Sequence, residues 1–148
     1  MNSGGKLVYD FFYVGFELPG YVHKVTEEEI DNFCKAVDER NPIYTSDRAA
    51  REAGLSGRIA PPLMVRNYAH FQNLFKGFKE TIPGHTIHAS GEYHFLSPVR
   101  PCDTITTTGK VIDKYVKRDK KFLSFELISK NQTGETVVIN RHTSVWPR

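Results

Sequence analysis

Pro61-Pro62-Leu63-Met64-Val65-Arg66-Asn67-Tyr68-Ala69-His70-Phe71-Gln72-Asn73-Leu74-Phe75 is the stretch around which the rest of the chain has to be arranged. A proline pair can open a helix, because proline lacks only a donor that the first turn leaves unpaired. Leu63, Val65, Tyr68, Ala69, Phe71, Leu74 and Phe75 then make the segment apolar over most of its circumference. A helix without a polar face must be buried on all sides. The segment therefore predicts a long central helix, ended by Pro83-Gly84 and wrapped by a sheet. Strands to wrap it follow downstream. Segments 85–96, 104–116, 121–130 and 135–146 are rich in Thr, Val, Ile and aromatics, joined at Pro98 to Asp103, Arg118-Asp119 and Gln132-Thr133-Gly134. Leu123, Phe125 and Leu127 alternate with Ser124 and Glu126, as in a half-buried antiparallel strand.

Upstream, residues 8–25 read as extended or irregular, with Pro19-Gly20 as a turn. Thr26-Glu27-Glu28-Glu29 has the form of a capping box, in which Thr26 caps and Glu29 reaches back. Ile30, Phe33, Cys34 and Val37 recur at helical spacing, and Pro42 stops that helix. A second helix is expected from Ser46 to Ala53, capped by Ser46 and ended by Gly54. A helix-rich half followed by a strand-rich half predicts the α+β class, with antiparallel strands packed on one central helix. No repeat or linker divides the 148 residues, so 1–148 reads as a single domain.

Charge narrows the function classes. Twenty basic residues against 17 acidic give a net charge of +3, too slight to imply nucleic acid. The basic run Lys117-Arg118-Asp119-Lys120-Lys121 reads as a solvated turn. Cys34 and Cys102 lack metal-ligand spacing, and Cys34 falls on the apolar side of its helix as a buried reduced thiol. The start, Met1 to Lys6, lacks the pattern of a signal peptide, and no run approaches the length of a membrane span. Cytoplasmic localisation without membrane contact is the expectation.

Val14-Gly15-Phe16-Glu17-Leu18, Val25-Thr26-Glu27-Glu28, Asn41-Pro42-Ile43 with Asp47 and Ala50, and Pro98-Val99-Arg100-Pro101-Cys102-Asp103-Thr104 occur in that order. Together they resemble the MaoC-like (R)-specific enoyl-CoA hydratases and 3-hydroxyacyl dehydratases, over nearly the whole chain. Cys102 stands where the family's last turn usually has glycine, and Asp38 stands at another position where glycine is common. The resemblance implies a hotdog fold, an antiparallel sheet wrapped around a long central helix with an overhang segment. It implies acyl thioesters of coenzyme A or acyl carrier protein as substrates, reversible hydration of a 2-enoyl thioester as the reaction, and neither cofactor nor metal. Since the family builds its substrate tunnel at a dimer interface, it also implies a homodimer or a heterodimer with a second hotdog subunit.

The family's chemistry needs a carboxylate and an imidazole converging on one water, plus backbone donors that hold the thioester oxygen. Anchored on Asn41-Pro42, the carboxylate position is Glu39 and the imidazole position is Tyr44. The extra methylene of Glu39 displaces its carboxylate, and misplacement on the order of 1 Å can cost roughly a hundredfold in rate. A phenol with a pKa near 10 orients or donates but hardly shuttles protons at neutral pH. Where the family opens its central helix with His-Gly, this chain has Pro61-Pro62, and Pro62 has no N–H to offer.

The resemblance thus assigns Glu39 and Tyr44 to the catalytic positions and Asn41, Ile59, Pro62, Arg66 and His70 to substrate binding. Asn-Pro-x-Tyr followed by Ile-Ala-Pro-Pro is similar to the non-catalytic hotdog half of two-domain and heterodimeric MaoC-type dehydratases. A substrate-binding subunit is the favoured reading. The alternatives are a homodimeric hydratase using Glu39 and a non-enzymatic acyl-thioester-binding module.

Among the other polar residues, His88, Ser90, Glu92 and His94 share a strand face by period two. Four to six residues along a strand span roughly 13–20 Å, too far for one metal ion. His70 reads as a satisfied core or interface residue or as a tunnel residue, and His142 as a sheet-surface residue. Arg58 and Arg66, which bracket the start of the central helix, each read as a solvated arginine or an ion pair, with a coenzyme A phosphate as the alternative partner.

Overall fold

The computed structural model describes residues 7–147, so the start from Met1 to Lys6, read above for targeting signals, lies outside the described residues. The elements run β1 (Glu17–Lys24), α1 (Glu27–Ala36), α2 (Asp47–Glu52), α3 (Val65–Tyr68), β2 (Ile87–Phe95), β3 (Thr104–Lys117), β4 (Lys120–Lys130) and β5 (Thr136–Trp146). The five strands form one sheet in the order β1-β3-β4-β5-β2, and every neighbouring pair is antiparallel. With the central segment on the sheet's concave side, this is the α+β hotdog arrangement expected from the sequence.

The turns explain much of the register. Arg118 and Asp119 both take positive φ, 50° and 59°, which suits a two-residue hairpin between the twisted strands β3 and β4. Cys102 has φ +71°, so the backbone there has the left-handed conformation that the family's glycine would adopt without strain. The Pro98–Asp103 turn is closed by Asp103 Oδ2, which accepts from the Arg100 N–H at 2.8 Å.

Both expected helix starts are present. Thr26 accepts from the Glu29 N–H, and Ser46 accepts from the Ala49 N–H. The reciprocal half of the capping box is not made. Glu29 instead holds His23 Nε2 at 2.9 Å and accepts from Asn67 Nδ2 at 3.1 Å, tying α1 to β1 and α3. Nor does Pro42 end α1. That helix stops at Ala36 because Asp38 turns left-handed (φ +52°) and the Glu39 N–H returns to the Cys34 carbonyl at 2.9 Å, the bond pattern of a Schellman cap.

Two further expectations fail. Pro19-Gly20 is not a turn but a register irregularity within β1, between Leu18 and Tyr21. Proline is tolerated there because β1 is an edge strand and need not donate on its free side. The second failure concerns the central segment, which is broken. A 3-10 turn at Pro62–Met64 leads into α3, His70 is extended (ψ 127°), and a second 3-10 turn covers Phe71–Phe75. The Tyr68 carbonyl accepts from Tyr21 Oη (3.0 Å) and Thr107 Oγ1 (3.3 Å). Those side chains meet a carbonyl that a continuous helix would use for itself.

Burial still follows the expectation that this segment forms the core. Phe71, Leu74 and Phe75 pack with Phe12, Val111, Leu123, Phe125, Leu127 and Trp146, whereas Met64, Val65 and Tyr68 join Val25, Ile30, Cys34 and Ile105. Each fully buried side chain of this size contributes about 1.5–3 kcal/mol by leaving water. Among the described residues no helix is long and apolar enough to cross a membrane.

Candidate functional site

Seven residues were expected to meet at one site; the structure distributes them over three recesses and a turn. The overhang is α1, the loop through Tyr44, α2 and the return to Arg58. Glu39 is half-buried and borders a shallow cleft of about 380 Å³ beside Asp31, Cys34 and Thr45. Its Oε1 accepts from the Asn41 N–H at 2.9 Å. Asn41 in turn caps the turn Pro42–Tyr44, its Oδ1 accepting from the Ile43 N–H at 3.2 Å. Both side chains are therefore engaged in shaping the loop.

Tyr44 is half-buried against the cluster that contains Cys34. Burial first, then the Glu39 charge and Cys34, push its phenol above the usual tyrosine range. It stays neutral at ordinary pH and does not replace imidazole as a proton shuttle. Burial, followed by Glu39 and Asp31, likewise raises the Cys34 thiol.

Arg58 forms the ion pair. Its guanidinium donates to Asp31 Oδ1 (3.1 Å), to the Thr45 carbonyl (3.4 Å) and to the Glu27 carbonyl (3.1 Å). Its own N–H donates to Asp47 Oδ1 at 2.9 Å. The side chain is only 9% exposed, so it fastens the overhang to α1 and is not presented to a ligand.

Ile59 and Pro62 line a second recess, of about 230 Å³, with Tyr68, Phe95, Leu96 and Val99. The Ala60 N–H is taken by the Val99 carbonyl at 2.7 Å. Pro61 and Pro62 supply no donor, so Leu63 is the first residue of the central segment with an N–H.

Arg66 and His70 line a third recess, also of about 230 Å³, between the central segment, β2 and β5. Arg66 Nη2 stands 3.0 Å from His70 Nε2. Burial, then the positive charges of Arg66 and Lys76, lower His70 below its ordinary value. The same recess holds His88 and His142, whose Nδ1 atoms are 3.1 Å apart.

His142 corrects the sequence reading. It is not a sheet-surface residue but 8% exposed, its ring stacked on Phe71 at 4.1 Å and 16°. Burial, then His88, Arg66 and His70, push it down to about 4. A signal was available: Asn140, His142, Ser144 and Trp146 alternate along β5, and all are buried. The tryptophan therefore marks the inward face. Glu92 and His94 pair with each other at 2.7 Å on exposed β2. Among the described residues no three His, Cys, Asp or Glu side chains stand close enough to hold a metal ion.

The family described as FAS1-like, dehydratase domain region, matches residues 13–140. A UPF0336 protein of Streptomyces avermitilis is 29% identical over 97 residues, 60% of this chain and 61% of that protein. The 3-oxo-4,17-pregnadiene-20-carboxyl-CoA hydratase alpha subunit of Mycobacterium tuberculosis is 48% identical over 42 residues, 28% of this chain and 14% of that protein. The chain thus spans less than two thirds of the length of either relative.

Among solved structures, the monoamine oxidase regulatory protein of Archaeoglobus fulgidus superposes with a TM-score of 0.84 at 21% identity, covering 99% of this chain and 97% of that one. The R-hydratase PhaJ1 of Pseudomonas aeruginosa gives 0.76 at 22%, covering 97% and 87%. The HadBC (3R-hydroxyacyl-ACP dehydratase) complex of Mycobacterium tuberculosis gives 0.76 at 19%, covering 89% and 96%. These likenesses establish the fold.

Proposed function

We infer the function from one premise: the chain belongs to the FAS1-like dehydratase-region family, the MaoC-like hotdogs. We propose that it is a single-domain component of an acyl-thioester hydratase/dehydratase, serving as the substrate-binding subunit of a hotdog dimer whose partner carries the acid–base pair. One observation carries this reading. Glu39, at the carboxylate position, accepts from the Asn41 N–H through Oε1, and the imidazole position holds the neutral phenol of Tyr44. Pro62 further removes a thioester-oxygen donor.

The dimer surface we propose is β2. It lies at the end of the sheet, and nearly all of its residues are exposed, Ile87 at 63% and Phe95 at 47%. An uncovered strand edge is a template for a further strand. A second hotdog there would also cover Phe95 and Leu96, at the mouth of the recess lined by Ile59 and Pro62. Named relatives include an alpha subunit of a CoA hydratase and a two-protein dehydratase complex, in line with a heteromer.

Hydration of crotonyl-CoA, followed by loss of the enoyl absorbance, tests the proposal. The protein alone is expected to be inactive, and activity is expected when a hotdog with an intact carboxylate–imidazole pair is added. Glu39→Gln in that mixture should change the rate by less than about twofold, because its carboxylate takes no part in the transition state. Turnover by the protein alone, reduced roughly a hundredfold or more by Glu39→Gln, would instead make it a self-sufficient hydratase with Glu39 as base. Tight thioester binding without turnover in any mixture would make it a binding module.

A further inference from the structure

We propose that the recess between the central segment, β2 and β5 is a binding site for a small anionic oxygen ligand, a carboxylate or a phosphate. Its polar wall is Arg66 and His70 from the central segment, His88 from β2 and His142 from β5. No Asp or Glu lines it. Among the described residues no carboxylate lies within ion-pair distance of Arg66, and its one named partner is the His70 ring, 3.0 Å away. Arginine carries five N–H donors in a fixed fork that matches a carboxylate or phosphate. One of them faces His70, and the ionic demand of the group is met by nothing on this wall.

Phe71, Ile82 and Pro83 add apolar lining beside these groups, Phe71 stacking on the His142 ring at 4.1 Å. A recess of about 230 Å³ that combines cationic and apolar lining has room for a phosphate or a short carboxylate. The two Nδ1 atoms at 3.1 Å admit a single hydrogen between them, so one ring donates, the other accepts, and His88 and His142 are linked. A proton entering an empty recess is repelled by Arg66, which is part of why His142 and His70 are held low.

An anion reverses that balance. It would neutralise Arg66 and favour the imidazolium forms of His70 and His142, so binding should take up protons below neutral pH. The groups that set this response are Arg66, His70 and Lys76 on the central segment, His88 on β2 and His142 on β5; all are cationic or become so on protonation.

The test uses the full chain and probes that contain no thioester, so its failure is separate from failure of the thioester reading. Inorganic phosphate and butyrate are titrated separately at about pH 6.5, where an unperturbed histidine is half protonated. Binding is followed by the ring Cε1–H resonances of His70, His88 and His142, with butyramide as the uncharged control. Saturable shifts on those rings, a raised apparent histidine pKa in the bound form, and about tenfold weaker binding in Arg66→Gln are expected. Phosphate binding alone names the ligand a phosphate, and butyrate binding alone names it a carboxylate. Absence of saturable shifts with either anion overturns the proposal. So does butyramide binding as well as butyrate, or binding unchanged by both Arg66→Gln and His88→Gln in variants whose melting shows them folded.

Discussion

Glu39 and Tyr44 in the overhang occupy the positions where the family's chemistry is expected, yet each is absorbed into local structure. Glu39 holds the Asn41 N–H, and Tyr44 packs against the buried thiol side of α1. On the far side of the central segment, His70, His88 and His142 gather around Arg66, and those polar groups bond chiefly to one another. In the first region one carboxylate oxygen is bonded to the loop's own backbone and the phenol is packed against α1. In the second, Arg66 and His70 were singled out in the sequence as binding residues and His88 and His142 were not, and among the described residues none of the four side chains bonds to the backbone of its own loop. Whether a polar side chain is already spent on its own backbone tells more about its availability for chemistry than whether it sits in a motif.

The largest expected effect comes from unfastening the overhang. Arg58 joins α1, the Thr45 turn and the loop after α2 through a guanidinium that is 9% exposed. Arg58→Ala would leave two carbonyls and Asp31 without that donor, and the expected loss is about 3 kcal/mol in urea denaturation. Asp31→Asn should cost less, about 1 kcal/mol, because Asp31 is 42% exposed and water replaces the pair. A loss below about 1 kcal/mol for Arg58→Ala would mean that the overhang is not held in this way, and the contrast between a braced loop and a free cavity would fail.

The recess offers the next largest effect, through pH. His142 titrates near 4 in the native protein, against 6.5 when unperturbed. Between those values the unfolded chain binds more protons than the folded one, so stability rises with pH. The contribution is fully present above about pH 6.5 and is lost as pH falls toward 4. It amounts to about 3 kcal/mol for a shift of this size. Urea denaturation at neutral and mildly acidic pH should show that slope in the parent and a flatter one in His142→Gln. An unchanged slope in the variant would shift the pH sensitivity away from the recess.

The strands were legible because alternation along one face is a local property: Leu123, Phe125 and Leu127 are all buried, as their spacing requires. The central segment was legible as core but not as a broken helix. An all-apolar circumference reports burial and says nothing of where the carbonyls bond. The hydroxyls that take the Tyr68 carbonyl, on Tyr21 and Thr107, lie 47 and 39 residues away. Pro19-Gly20 misled for a similar reason, since only sheet order reveals that β1 is an edge.

Of the candidate site, Asn41 was assigned to substrate binding on the resemblance, and its side chain caps the turn Pro42–Tyr44. The sequence reading named Arg66 and His70 for the site but not His88 and His142 beside them, because the walls of that recess come from residues 66–72, 82–88 and 142–144, which only the folded sheet brings together. His142 was within reach of the two-residue period shared with Trp146, had the tryptophan been used to orient β5.

The smallest expected effect returns to the overhang and asks whether its backbone is shaped by Glu39 or merely hosts it. Asp38 sits at the residue after the α1 C-cap with φ +52°, the position where glycine carries no Cβ penalty. Among the described residues its side chain pairs with Arg40 alone, at 2.8 Å, in a pair 83% and 75% exposed that contributes little. Asp38→Gly should therefore stabilise by about 0.5 kcal/mol, relief of left-handed strain outweighing the lost surface pair. The Glu39 N–H to Cys34 carbonyl bond and the Glu39–Asn41 contact should persist in the variant, visible as unchanged amide exchange at both positions. If the substitution instead destabilises the chain and frees the Asn41 amide, then Asp38 and Arg40 are part of the brace. In that case the carboxylate of Glu39 is only loosely engaged by its loop, and the distance between the two regions narrows.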